Sequence, residues 1–316
     1  MKIIITGVAG FIGFNLAKKL LQKKNTIYGI DNLDNYYSVS YKKKRLKELK
    51  KFKNFYFKKI DIIKINKKHF KNIKIDTVVH LAAQAGVRYS FNRPAKYIDT
   101  NIIGFLNLIK FSNQKKIKKL LYASSSSVYG DSINFPLKES ENLNPKNIYG
   151  ISKKINEKTA ELYSKIYKMN FIGLRFFTVF GEWGRPDMFM MKLFKAFKEK
   201  KFFYLNNFGN HSRDFTYIED VVKILVSLIS KNIQGHQVFN ICSNKPQNIL
   251  NIVKKFNKKN KTRIKLIKMH KADVLDTHGD NKKIKKVLKI KKFSKFNNNF
   301  YKVLRWYKDN NINLIS

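Results

Sequence analysis

A phenol, an ammonium and a run of hydroxyls lie near the middle of this 316-residue chain, at spacings that could move a proton. Tyr149-Gly150-Ile151-Ser152-Lys153 separates the phenol and the ammonium by about one helical turn, so both side chains share a face. An ammonium beside a phenol favours the phenolate and lowers its pKa. Tyr149 is therefore expected to act as a general base towards a substrate alcohol. Ser125, within Ser124-Ser125-Ser126-Ser127, could donate to the same substrate oxygen and relay its proton. A Tyr-x-x-x-Lys pair alone is common on solvated helices, so its meaning depends on its company.

That company begins at the N-terminus. Thr6-Gly7-Val8-Ala9-Gly10-Phe11-Ile12-Gly13 follows the apolar run Ile3-Ile4-Ile5 and opens a helical pattern of Phe11, Leu16, Leu20 and Leu21. Strand, glycine turn and helix occur in the order a dinucleotide site requires. The spacing G-x-x-G-x-x-G is one residue wider than the better-known fingerprint. A second apolar run, Thr26 to Ile30, ends in Asp31, which could accept from the ribose hydroxyls of an adenosine and would repel a 2′-phosphate. NAD is thus expected over NADP, and its positive nicotinamide would further favour a Tyr149 phenolate. Asn32 follows Asp31. Asp61-Ile62, after a third apolar run, would lie beside the adenine, although an aspartate closing a strand reads equally well there. Leu81-Ala82-Ala83 ends a fourth run in small residues that leave space for the cofactor. No metal site is expected.

These motifs need elements to hold them. Strands are expected at 3–5, 26–30, 55–62, 76–83, 119–123 and 171–177, separated by helical patterns near 41–51, 94–109 and 149–167. Such alternation predicts a parallel, doubly wound sheet, and right-handed crossovers bring every strand's C-terminal end to one edge. Gly7, Asp31, Asp61, Ala82 and Ser125 then converge on one crevice. His80, inside an apolar run, reads as a core histidine. Beyond Phe180 the rhythm loosens into a Gly/Trp/Pro loop at 181–186, helices near 189–200, 218–230, 248–257 and 300–307, and short strands near 202–205 and 238–242. The expected fold is α/β: a Rossmann-type sheet over residues 1–180 and a smaller α/β lobe over 181–316, with segments exchanged between them.

Composition restricts the function classes. Hydrophobic residues make up 43% and aromatics 14%, values of a globular chain. No apolar run approaches the length of a membrane span, and Met1-Lys2 leads straight into the first strand with no signal-peptide order. The single cysteine, Cys242, excludes an intrachain disulfide framework and suits a reducing cytoplasm. The formal net charge of +45 raises nucleic-acid binding as an alternative. Against it, only eight of the basic residues are Arg, and the lysines are spread along the chain rather than gathered. No specific nucleic-acid or membrane partner is expected.

The set Gly7-x-x-Gly10-x-x-Gly13, Asp31, Asp61-Ile62, His80-Leu81-Ala82-Ala83, Ser125, Tyr149-x-x-x-Lys153 and Arg213-Asp214-Phe215-Thr216-Tyr217-Ile218 resembles the extended short-chain dehydrogenase/reductase family. The likeness is to its NAD-dependent nucleotide-sugar epimerases and runs along essentially the whole chain. It implies that Tyr149 takes the C4 hydroxyl proton while the C4 hydride passes to NAD⁺, and that the 4-keto sugar turns and the hydride returns to its other face. It also implies that Arg213 holds the nucleotide diphosphate, that Asp273 lies near the uridine ribose, and that a homodimer forms through helices near 94–111 and 149–167. The stretch at 269–274 matches the family loosely, and Phe180 stands where the family more often has Tyr.

Two stretches, Ala85 to Ser90 with Arg88 and Arg175 to Met188 with Thr178 and Arg185, resemble the UDP-glucuronate 4-epimerases. Oxidising C4 of a uronate gives a β-keto acid that loses CO₂ when its carboxylate bond aligns with the carbonyl π system. An arginine fork and a hydroxyl could hold the carboxylate in another orientation. Ser126 and Ser127, after Ser125, cannot do the carboxylate chemistry of related dehydratases and decarboxylases. The expected activity is C4 epimerisation of UDP-glucuronate to UDP-galacturonate. The alternatives are a UDP-glucose or UDP-N-acetylhexosamine (uronate) epimerase, and a nucleic-acid-binding protein on an inactive Rossmann scaffold.

Overall fold

The computed structural model of the chain describes residues 1–310. β1 (Lys2–Thr6), α1 (Phe11–Gln22), β2 (Thr26–Asp31), α2 (Val39–Leu49), β3 (Phe55–Lys59) and β4 (Thr77–His80) alternate as the sequence predicts. Two short helices, α3 (Tyr89–Asn92) and α4 (Pro94–Tyr97), lead through a π-helical stretch, Ile98–Ile103, into α5 (Gly104–Gln114). β5 (Lys119–Ser125), α6 (Ile148–Tyr167), β6 (Asn170–Phe176) and β7 (Thr178–Phe180) follow. The rest of the described chain forms α7 (Phe189–Lys198), β8 (Phe203–Asn206), β9 (Ser212–Tyr217), α8 (Ile218–Ser230), β10 (His236–Ile241), β11 (Pro246–Asn248), α9 (Ile249–Asn260), β12 (Ile264–Ile267), α10 (Lys282–Leu288) and α11 (Phe296–Asp309).

Seven strands form one parallel sheet in the order β10-β6-β5-β4-β1-β2-β3. The order reverses at β1, whose neighbours are β2 and β4, and a crevice opens where crossovers leave in opposite directions. Successive β1 residues serve opposite faces: Ile3 and Ile5 pack with Phe14, Leu16 and Leu121, whereas Ile4 packs with Val78, Phe105 and Leu120. Both faces are covered, which explains the nearly unbroken apolar runs of the central strands. β11-β9-β7 and β12-β8 make two small sheets beyond the strand ends.

Two expectations are corrected. The third strand stops at Lys59 rather than residue 62, because Asp61 accepts from the Ile63 N–H and starts a 3₁₀ turn. The strand expected in the small lobe near 238–242 is β10, and it joins the large sheet beside β6, with Phe239 and Ile241 buried. Residues 311–316 of the expected 181–316 lobe lie outside the described residues. Cys242 is buried and free. Among the described residues, no helix is long and apolar enough to cross a membrane. The buried basic side chains there are Lys42, Arg45, Lys153 and Arg175, so most of the positive charge lies towards the surface.

Candidate active site

The end of β1 can turn as it does only because of its glycines. Gly7 has φ +70°, and a Cβ there would lie 2.6 Å from the Ala82 amide nitrogen. A Cβ on Gly13 would come within 2.2 Å of the Gly7 carbonyl, so α1 starts hard against the strand end. Gly10 donates to that carbonyl at 2.9 Å. α1 has no side-chain cap and no acidic residue in its first turn, which leaves its leading N–H groups to an anion. Asp31 accepts from Ala9 N–H at 3.0 Å and from Leu33 N–H at 2.9 Å. Burial pushes its carboxyl up, and the Lys42 ammonium and the two amides offset only part of that. Asn32 donates to Asp61 at 2.9 Å. The Asp61 carboxylate is thus engaged in closing the strand, while Ile60 and Ile62 on either side line the crevice.

One cavity of about 440 Å³ runs from this turn, past Asp31, Asn32 and the Leu81–Ala83 wall, to Ser125 and Tyr149. Asn147 caps α6 by accepting from Gly150 N–H at 2.9 Å, which sets Tyr149 in the first turn and Lys153 one turn on. Ser125, the last residue of β5, lines the cavity beside Tyr149 and donates to Ser127 Oγ at 3.1 Å. Lys153 is 1% exposed, donates to Ala123 O at 2.8 Å, and holds Nζ 5.9 Å from the centre of the Tyr149 ring. Burial lowers Lys153 to about 8, against the opposing charge of Glu157.

Burial also holds Tyr149 above its ordinary value, with the neighbouring Ser125 hydroxyl and the Arg185 charge working the other way. Among the protein's own groups, burial decides the direction for this phenol. The Lys153 ammonium is turned to the Ala123 carbonyl, and desolvation of the phenolate outweighs the protein's own charges. His80 is a core residue: buried, stacked on Phe105, bonded through Nδ1 to Thr6 at 2.8 Å, and lowered to about 3 by burial.

The far end of the cavity is lined by Ser126, Thr178, Arg185, Arg213 and Asp273. Arg185 donates through Nε to Asp187 Oδ1 at 3.0 Å and through Nη2 to Oδ2 at 2.5 Å. Arg213 donates to Leu275 O at 2.7 Å and to Val274 O at 2.8 Å, pinning the strap that carries Asp273. Arg88 lies outside the lining; its guanidinium grips Asp273 at 3.2 and 2.6 Å across the cavity mouth.

The sequence matches the NAD dependent epimerase/dehydratase family over residues 3–242. The chain belongs to this family. It is 42% identical over 274 residues to Protein CapI of Staphylococcus aureus, covering 80% of this chain and 82% of that one. It is 39% identical over 247 residues to the UDP-glucuronate 4-epimerase of Thermodesulfobacterium geofontis (strain OPF15), covering 77% and 75% of the two. The fold superposes on the crystal structure of UDP-glucuronic acid 4-epimerase from Bacillus cereus, in complex with UDP-glucuronic acid and NAD, with TM-score 0.92 and 30% identity. That match covers 98% of this chain and 99% of the other.

Several residues of this epimerase/dehydratase site escaped the sequence reading. Asn101, in the π-helical stretch, accepts from Gln84 N–H at 2.8 Å and donates to Gln84 O at 3.1 Å and Ser152 Oγ at 3.0 Å. It ties the chain after β4 to the first turns of α6, and its one sequence signal is a polar side chain in an apolar helical run. Lys42 lies beside Asp31 but is one lysine in a lysine-rich helix. Asp187 stood within a recognised stretch, two residues after Arg185, without being assigned a role.

Proposed function

We propose that this protein epimerises UDP-glucuronate at C4, interconverting it with UDP-galacturonate, as an NAD-dependent enzyme. The observation that carries the reading is one cavity that joins the glycine turn to Tyr149, Lys153 and Ser125 and continues to Thr178 and Arg185.

The chain's residues fit NAD: a cradle that any Cβ at Gly7 or Gly13 would fill, an uncapped helix start for the pyrophosphate, and Asp31 at the second strand end for the ribose. Asn32, Ile62 and the Leu81–Ala83 wall would enclose the adenosine and nicotinamide halves. Bound NAD⁺ supplies the acceptor for the C4 hydride and later its donor. Tyr149 takes the C4 hydroxyl proton and gives it back, Ser125 orients that oxygen, and Lys153 holds positive charge beneath the pair. Arg213 is assigned the diphosphate, Asp273 the uridine side, and Ser126, Thr178 and Arg185 the uronate carboxylate, with Arg88 steadying Asp273. The cofactor half would be residues 1–180 and the substrate lobe 181–316, with α8 and β10 lent to the former.

We also infer a homodimer. Ile151, Ile155, Leu162 and Ile166 on α6 are 37–58% exposed at spacings that share one helical face, and Ile98 and Ile103 on the preceding helical stretch are 45% and 41% exposed. Sedimentation equilibrium should give twice the chain mass. The small-molecule partners of the reaction suit the cytoplasm.

The test is kcat/KM on UDP-glucuronate and UDP-glucose for the parent and Arg185→Ala. A marked preference for the uronate that collapses in the variant supports the reading, and no preference in the parent overturns it. One observation favours the neutral-sugar alternative: Asp187 already meets the charge of Arg185.

A further inference from the structure

Arg185 lines the sugar end of the cavity with its fork already matched by a carboxylate. Asp187 takes its Nε and Nη2 edge. Asp187 is itself fixed. Tyr36 donates to its Oδ2 at 3.1 Å, and the Tyr36 ring lies 5.7 Å from the Arg185 guanidinium. The Tyr36 hydroxyl occupies the space over Gly86, where a Cβ would come within 2.1 Å of it. Three elements of the cavity wall thus converge on one guanidinium: the chain after β2, the turn after β4, and the loop before α7.

We propose that Asp187 is a specificity-determining residue, which aims the outer edge of Arg185 into the cavity and neutralises it, and so sets how strongly a sugar carboxylate is preferred over a neutral C5 substituent. The inference rests on the reading that Arg185 meets that carboxylate.

The chemistry gives the role a direction. Two carboxylates competing for one guanidinium weaken each other's hold, through shared charge and through the loss of one bidentate edge. The side chains of Arg185 and Asp187 are 23% and 28% exposed, so the competition is screened but not abolished.

The test measures binding in a Tyr149→Phe background with NAD present, so that the ligand is not consumed. UDP-glucuronate and UDP-glucose are titrated calorimetrically, and the ratio of their dissociation constants is compared. Asp187→Asn keeps an acceptor for Arg185 and for Tyr36 while removing the charge, and it should widen the preference for UDP-glucuronate roughly three- to tenfold, the size of one half-screened charge at contact distance. Asp187→Ser, a second uncharged variant, should widen it in the same sense if Asp187→Asn fails to fold. An unchanged or narrowed ratio overturns the inference while leaving the uronate reading intact. A parent with no preference, or one that Arg185→Ala leaves unchanged, overturns both.

Discussion

Lys153→Met should make the protein inactive and, at neutral pH, more stable. The variant removes a buried charge and keeps a flexible side chain of similar reach. Burial lowers Lys153 from 10.5 to about 8, a difference that costs the folded state about 3 kcal/mol at pH 7. The unfolded chain holds the proton more tightly. The penalty is therefore complete below about 8 and fades as pH rises towards 10.5. Losing the 2.8 Å bond to Ala123 O offsets about 1 kcal/mol. The net gain should be about 2 kcal/mol at pH 7 and should shrink to below about 1 kcal/mol near pH 9.5. Urea unfolding of the nucleotide-free parent and variant at the two pH values measures it. A variant less stable than the parent at pH 7, or a gain equal at both pH values, would refute the reasoning.

Three further outcomes follow from the geometry. Tyr149→Phe should fold and load NAD normally while losing turnover by about 10²–10⁴-fold, read from product formation and from the cofactor content of the purified protein. Gly13→Ala, whose new Cβ would approach the Gly7 carbonyl to 2.2 Å, should cost about 1–3 kcal/mol and remove most of the thermal stabilisation that added NAD gives the parent. Arg175→Met strands the Glu157 carboxylate, which Arg175 now grips at 2.9 and 2.7 Å with both side chains 5% exposed. It should cost about 3–5 kcal/mol in chemical unfolding, and adding Glu157→Leu should restore most of that loss.

The central sheet was legible because its signals are local and strong. Unbroken apolar runs, glycines at a turn and helices between them specify β1 to β6 with little help from the rest of the chain. β10 was misassigned because its residues 236–241 read alone as one more short strand. Only the unsatisfied edge of β6, far away in sequence, decides which sheet it joins. Tyr149, Lys153 and Ser125 could be found from residue type and spacing, but their electrostatics could not. Whether burial or a neighbouring ammonium controls a phenol depends on where Nζ points, and here it points to Ala123 O. The Arg88–Asp273 and Arg185–Asp187 pairs show the same limit: each arginine was noticed, and its carboxylate partner was fixed by folding.

The measurement that bears most directly on the central claim is incubation of the purified protein with UDP-glucuronate, followed by NMR of the sugar products with no added reductant. The account predicts UDP-galacturonate with little pentose, since Tyr149 and Ser125 handle the C4 oxygen while Thr178 and Arg185 keep the carboxylate out of line with the C4 carbonyl. A UDP-pentose as the main product, or no conversion of UDP-glucuronate under conditions that turn over UDP-glucose, would contradict it.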